Sequence, residues 1–210
     1  MKAIVYRGKR DVEVEKVEDP KIEKEDDIVV KVTSTAICGS DLHLIHGMIP
    51  NMPSGFVLGH ETMGIVEEVG SGVTKVKKND RVIIPFPVAC GYCYFCEHEQ
   101  YSQCDNSNSN GEVGGLFGYS NTYGGYAGGQ AEYIRVPYAN VGPKVIPEEL
   151  EDEQSIEASQ RLYPSFIGGG LSRACGLELP SGRILHMAPF QTGPLDSVPV
   201  RSCPGGGHTA

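Results

Sequence analysis

No apolar run in this 210-residue chain approaches membrane-spanning length, and no basic segment followed by an apolar one opens it. Neither a membrane anchor nor a secretory leader is therefore expected, and cytoplasm is the default location. Positive charge is also scarce. Eighteen Lys and Arg face 27 Asp and Glu, a net −9, which argues against a nucleic-acid surface, where a basic patch is expected. Tryptophan is absent, and nothing about function follows from that. No internal repeat is visible. What remains is a chain with 40% hydrophobic residues, enough for a real core, and a length that fits one large domain or one domain plus a fragment. It holds seven cysteines, and in a reducing compartment these favour metal ligation over disulfides.

Four of the seven lie at Cys90, Cys93, Cys96 and Cys104, spaced C-x2-C-x2-C-x7-C. Thiolates two residues apart can hold one soft cation while the backbone turns tightly between them. Four sulfurs satisfy tetrahedral Zn²⁺ and leave no open position, so such a site builds architecture and performs no reaction. Gly91, Tyr92, Tyr94 and Phe95 suit a loop folded around the ion. Two rivals are an iron–sulfur cluster and four unrelated thiols in an oxidised loop.

The first half of the chain alternates in strand fashion. Ala3 to Tyr6, Val12 to Val17, Asp27 to Thr33, Gly64 to Val69, Arg81 to Pro85 and Ala131 to Val136 are rich in β-branched residues and separated by Gly, Pro and charged turns. Many short strands of this kind predict a mainly β barrel or sandwich. Between Phe86 and Gly129 the pattern gives way to Cys, Gly, Asn and Tyr, a loop lobe organised by metal.

A second set of chemically capable residues lies upstream. Residues 36 to 46 read A-I-C-G-S-D-L-H-L-I-H and residues 59 to 73 read G-H-E-T-M-G-I-V-E-E-V-G-S-G-V. Cys38 and His60 are good zinc ligand types, and Glu61 adds a carboxylate. A thiol and an imidazole 22 residues apart are equally well a buried Cys and a hydrogen-bonded core His. The neighbours favour chemistry. Ser40 and His43 offer a hydroxyl and an imidazole for proton transfer, and Asp41 is suited to hold the far nitrogen of a metal-bound His.

These motifs resemble the zinc-containing alcohol dehydrogenases of the medium-chain dehydrogenase/reductase family. The run G-H-E-T-M-G from Gly59 to Gly64, continued by Gly70 and Val73, resembles the family signature. C-G-S-D-L-H from Cys38 to His43 resembles its first catalytic segment, and the four cysteines resemble its structural zinc lobe. L-F-G-Y from Leu116 to Tyr119 and G-G-Q-A-E-Y-I-R-V-P from Gly128 to Pro137 look most like the formaldehyde-dehydrogenase-like branch. The resemblance implies a GroES-like β-barrel over residues 1–154, with a structural zinc lobe at 86–109. It implies catalytic zinc on Cys38 and His60, with Glu61 entering transiently, and structural zinc on Cys90, Cys93, Cys96 and Cys104. Ser40 would take the substrate proton, His43 would relay it through the cofactor ribose, and Asp41 would orient His60. The implied reaction oxidises a small alcohol or aldehyde by hydride transfer to NAD or NADP, in a homo-oligomer.

The resemblance stops near Gln154. Up to that residue the chain carries 24 acidic and 14 basic side chains; beyond it, 3 and 4, and no Lys follows Lys144. Pro147 with Glu148, Glu149, Glu151 and Asp152 looks like a helix start without a continuation. Residues 155–210 are accordingly read as an irregular tail, frameshifted or disordered. The family's C-terminal Rossmann domain is expected to be absent. The G-G-G-H-T-A run from Gly205 to Ala210 has no helix after it and reads as a decoy. The family's third catalytic ligand has no counterpart, and Cys175 reads as coincidence. The chain alone is therefore expected to be inactive. The alternative function is a non-catalytic zinc-binding remnant or an interaction module on the same barrel.

Overall fold

The computed structural model describes residues 1–111, 113–147, 150 and 155, and the backbone of 175–178 and 184–187. Strands β1 (Lys2–Gly8) and β2 (Asp11–Lys16) form a hairpin, and β4 (Phe56–Val57) pairs with the other edge of β1. A second sheet runs in the order β7 (Tyr133–Val136), β3 (Ile28–Thr35), β5 (Thr62–Val69), β6 (Arg81–Ile84), β8 (Lys144–Val145). Every strand pair in both sheets is antiparallel. The two sheets meet along residues 128–132. There Gly128 and Gln130 donate to Val57 and Leu58 carbonyls, Ile4 donates to the Gln130 carbonyl at 2.8 Å, and Ala3 bridges Ala131.

The pattern of branched side chains explains the core. Ile28, Val30, Val66, Val82, Ile84, Ile134 and Val136 close one apolar cluster, each at most 2% exposed. Burying each such side chain contributes roughly 1.5–3 kcal/mol. The six strands read from alternation are all present, with ends displaced by a residue or two. β2 lies at a sheet edge, which leaves Val12 and Val14 exposed. The two-residue strands β4 and β8 carry no period long enough to read. The seven-residue helix α1 (Gly39–Ile45) is also too short to announce itself; it docks through fully buried Leu44 against Tyr6 and Leu58.

Within the stretch read as an irregular tail, a backbone hairpin joins β9 (Cys175–Glu178) to β10 (Ile184–Met187). Glu148, Glu149, Glu151 and Asp152 of the expected helix start, the G-G-G-H-T-A run and the remainder of 156–210 lie outside the described residues. Among the described residues there is no parallel sheet and no strand–turn–helix of the dinucleotide-binding kind.

Candidate metal centres and active site

The cysteine lobe is built from turns and two short helices. Cys93 precedes α2 (Tyr94–Glu97), Cys96 lies within it, and Cys104 follows the short helix Tyr101–Gln103. Gly91 has φ +86°, and a Cβ there would meet Val141 Cγ2 at 2.6 Å, so this turn requires glycine. All four thiols are buried, unpaired in disulfides and within 4.8 Å of one another. Cys90 and Cys96 sulfurs are 3.9 Å apart, as are Cys93 and Cys104. A tetrahedron with Zn–S of about 2.3 Å has an edge of about 3.8 Å, so the sulfurs stand where one ion would hold them. A multi-iron core between them would need wider separation, and a disulfide would need an S–S length of about 2.05 Å.

Several groups donate to these sulfurs. Cys90 N–H reaches Cys104 Sγ at 3.3 Å, and Asn106 Nδ2 and Tyr92 N–H reach Cys90 Sγ at 3.3 and 3.5 Å. Such donors favour thiolates. In the metal-free lobe burial pushes the Cys96 and Cys104 thiols up, while at Cys93 burial is outweighed by backbone N–H groups and its thiol falls to about 7.

The second centre depends on strand pairing. β3 and β5 run antiparallel, with Thr35 opposite Thr62; beyond them Ala36 N–H and Thr35 Oγ1 donate to the Glu61 carbonyl at 3.1 and 2.9 Å. This ladder carries Cys38, just past β3, to His60 and Glu61, just before β5. Their ligand atoms lie within 4.8 Å of one another. Gly59, with φ +101°, makes the turn into His60; a Cβ there would meet Gln130 N and Cγ at 2.5 Å. Cys38 stands at the N-cap of α1, and Asp41 Oδ2 accepts its N–H at 2.9 Å. Asp41 is buried behind His60. His60 Nδ1 lies 3.2 Å from Asp41 Oδ1, at an angle that completes no hydrogen bond, and neither atom has another partner. Gln130 Nε2 donates to Asp41 Oδ2 at 3.2 Å, and Ser40 Oγ lies 3.1 Å from His60 Nε2.

Three acidic groups, Cys38, Asp41 and Glu61, therefore gather about one histidine in a largely buried place. Burial works against the His60 charge, but Asp41 and Cys38 outweigh it and raise the imidazole to about 9. His60 in turn holds the Cys38 thiol below its ordinary value. A buried excess of negative groups is what a divalent cation offsets. Three donors leave one tetrahedral position open, in contrast to the closed four-thiolate lobe.

The structure thus brings together Cys38, Ser40, Asp41, His60 and Glu61. His43 lies exposed on α1, three residues from Ser40 and so its neighbour along the helix. Three contributors carried no assigned role in the sequence. Phe86 and Tyr119 rings lie 4.6 and 5.4 Å from the His60 ring, and burial pushes the Tyr119 phenol up. Gln130 is the third. Tyr119 and Gln130 stood inside the quoted runs, but only folding shows what they touch.

An antiparallel β domain thus carries one group of four buried thiols and one group of three unlike metal-ligating side chains. Residues 24–148 match the alcohol dehydrogenase GroES-like domain, and the chain belongs to that family. It is 66% identical over 152 residues to an uncharacterized zinc-type alcohol dehydrogenase-like protein, AdhB, of Bacillus subtilis, covering 72% of this chain and 40% of that protein. It is 39% identical over 171 residues to the glutathione-independent formaldehyde dehydrogenase of the same organism, covering 74% and 40%. Alcohol dehydrogenase TADH from Thermus sp. ATN1 superposes with a TM-score of 0.71 at 41% identity, over 77% of this chain and 44% of that one. The chain spans about two fifths of the length of these relatives.

Proposed function

We propose that this chain carries the catalytic half of a zinc-dependent dehydrogenase that oxidises small alcohols or aldehydes, with NAD or NADP as hydride acceptor. The observation that carries the reading is the meeting of Cys38, His60 and Glu61 at one open point, with Asp41 buried behind His60. Zinc bound there would supply Lewis acidity, which can lower the pKa of a bound water to about 7 and acidifies a bound alcohol in the same direction. Cys38, His60 and Glu61 hold the ion, and Asp41 orients the His60 ring. Ser40 Oγ, beside His60 Nε2, is placed to take the substrate's hydroxyl proton. His43, along α1 from Ser40, passes that proton outward. Phe86 and Tyr119 wall the site and exclude water, which strengthens each electrostatic contact inside it. Cys90, Cys93, Cys96 and Cys104 hold a second zinc that shapes the lobe.

The test has two parts. The purified chain should contain two zinc ions, and Cys38→Ala should remove one. Residues 1–147 should also replace the matching segment of the 66%-identical relative and support NAD(P)-dependent oxidation of small alcohols or formaldehyde. In that chimera Cys38→Ala should abolish turnover. A folded chimera that keeps both zinc ions yet turns over nothing would favour the non-catalytic zinc-binding reading.

A further inference from the structure

Gln130 is held more firmly than its place before β7 requires. Its N–H donates to the Leu58 carbonyl at 2.9 Å and its carbonyl accepts from Ile4 N–H at 2.8 Å. Its side chain is buried. Nε2 meets Asp41 Oδ2 at 3.2 Å. An ionised carboxylate only accepts, so the amide must present its NH2 and not its oxygen. The same Oδ2 accepts Cys38 N–H at 2.9 Å. Two donors on one oxygen stop the carboxylate from swinging and leave Oδ1 facing His60 Nδ1 at 3.2 Å. On the other side, the Gln130 stem lies directly against the Gly59 α-carbon. Gln130 therefore touches both the peptide that enters His60 and the carboxylate behind it.

From this geometry we infer that Gln130 is a positioning residue for His60, acting through Asp41. It holds the carboxylate's Oδ1 3.2 Å from Nδ1, where its negative charge favours a proton on Nδ1 and turns Nε2, the nitrogen beside Ser40 Oγ, toward a cation. The inference rests on the reading of Cys38 and His60 as metal ligands. It adds a residue remote in sequence that pre-sets the donor geometry before any metal arrives. The rival account is that Gln130 only fills space beside Gly59.

Gln130→Met keeps the stem and removes the donor, so it separates the two accounts. Zinc affinity of the second equivalent is measured by competition with a chelator, in the full chain. Outer partners of metal-bound histidines typically carry about 10–100-fold in affinity. Gln130→Met should lose affinity in that range while the first zinc, at the four cysteines, is held as before. Gln130→Met combined with Asp41→Asn should bind no more weakly than Asp41→Asn alone, because both act along one path. A Gln130→Met chain that binds as the parent does, or losses that multiply in the double variant, would overturn the inference.

One measurement needs no change at Gln130 and survives a folding failure of that variant. Nitrogen NMR of the parent chain should show one glutamine NH2 protected from exchange, and Asp41→Ala, which leaves no acceptor, should remove that protection. Finding no protected glutamine NH2 would also overturn the inference. Cys38→Ala distinguishes the two levels. If it leaves both zinc equivalents bound, the metal-site reading falls and the inference with it. If it removes the second equivalent while Gln130→Met does not weaken it, only the inference falls.

Discussion

His60 is the residue on which proton and metal compete. Asp41 and Cys38 keep the metal-free imidazole protonated up to about 9, so at neutral pH a cation must displace that proton. Zinc affinity at this centre should rise with pH by up to about tenfold per unit, levelling near pH 9. Calorimetry in buffers of different ionisation enthalpy should show proton release at neutral pH; binding independent of pH between 7 and 9 would contradict it. The stability effect has the opposite sign. A pKa raised from 6.5 to about 9 in the folded state stabilises the metal-free chain fully below 6.5, and that contribution is lost as pH rises through about 9. Residue types at Cys38, His60 and Glu61 were legible as ligands because few side chains can serve. Gln130 and Phe86 were not, since an amide and a phenyl ring acquire a role only from what folding puts beside them.

At the scale of elements, the lobe and the sheets are stabilised by different means. The lobe's apolar cluster is small: Ala89 and its own thiols, with Phe95, Tyr101, Tyr138 and Val141 packed against them. Structural zinc contributes an apparent ~10–16 kcal/mol in small metal domains, comparable to a whole domain's ~5–15 kcal/mol. Cys93→Ala should therefore lose the lobe zinc and expose the backbone from about residue 86 to 109 to hydrogen exchange, with β3 and β5 still protected. Slow exchange throughout the zinc-free lobe would show that side-chain packing suffices. The sheet has its apolar core and, at its β7–β3 edge, a buried ion pair. Arg135 Nε, on β7, donates at 2.7 Å to Asp27 Oδ2, just before β3, and Asp27 is fully buried. Glu23 and Lys24 N–H also reach that oxygen at 2.9 Å. Arg135→Ala leaves a buried charge with only those donors and should cost about 3 kcal/mol, at the low end of broken buried pairs. Urea unfolding measures it, and a loss below about 1 kcal/mol would mean the backbone donors are enough. The six long strands were readable because β-branched residues recur with period two. Two-residue strands and a seven-residue helix contain no full period, so α1, β4 and β8 appear only once neighbours supply their hydrogen bonds.

For the whole molecule, two centres of unequal completeness should release metal in order. Four buried cysteines are placed to enclose one ion, while Cys38, His60 and Glu61 offer three unlike donors and an open position. A chelator at rising concentration should remove one zinc first, and Cys38→Ala should abolish that early phase alone. Simultaneous loss of both would argue for a single coupled centre. The domain's relation to a cofactor belongs to this scale as well. The described sheets are antiparallel throughout and contain no phosphate-binding turn, so nothing in residues 1–147 replaces the nucleotide-binding half expected of a dehydrogenase.

By itself the sequence determined the strand-rich fold, the four-cysteine lobe and which residue types are able to act as donors. These are local properties: alternation with period two, cysteines close enough along the chain to share an ion, and side chains able to bind one. Only tertiary structure decided that Cys38 and His60 meet, because the β3–β5 ladder closes their separation of 22 positions. It also decided that Asp41 faces His60 and that Gln130, 89 residues further along, holds Asp41. Contacts of that separation are set by strand register and by the close approach of Gly59 to Gln130, neither of which has a period or a spacing to read.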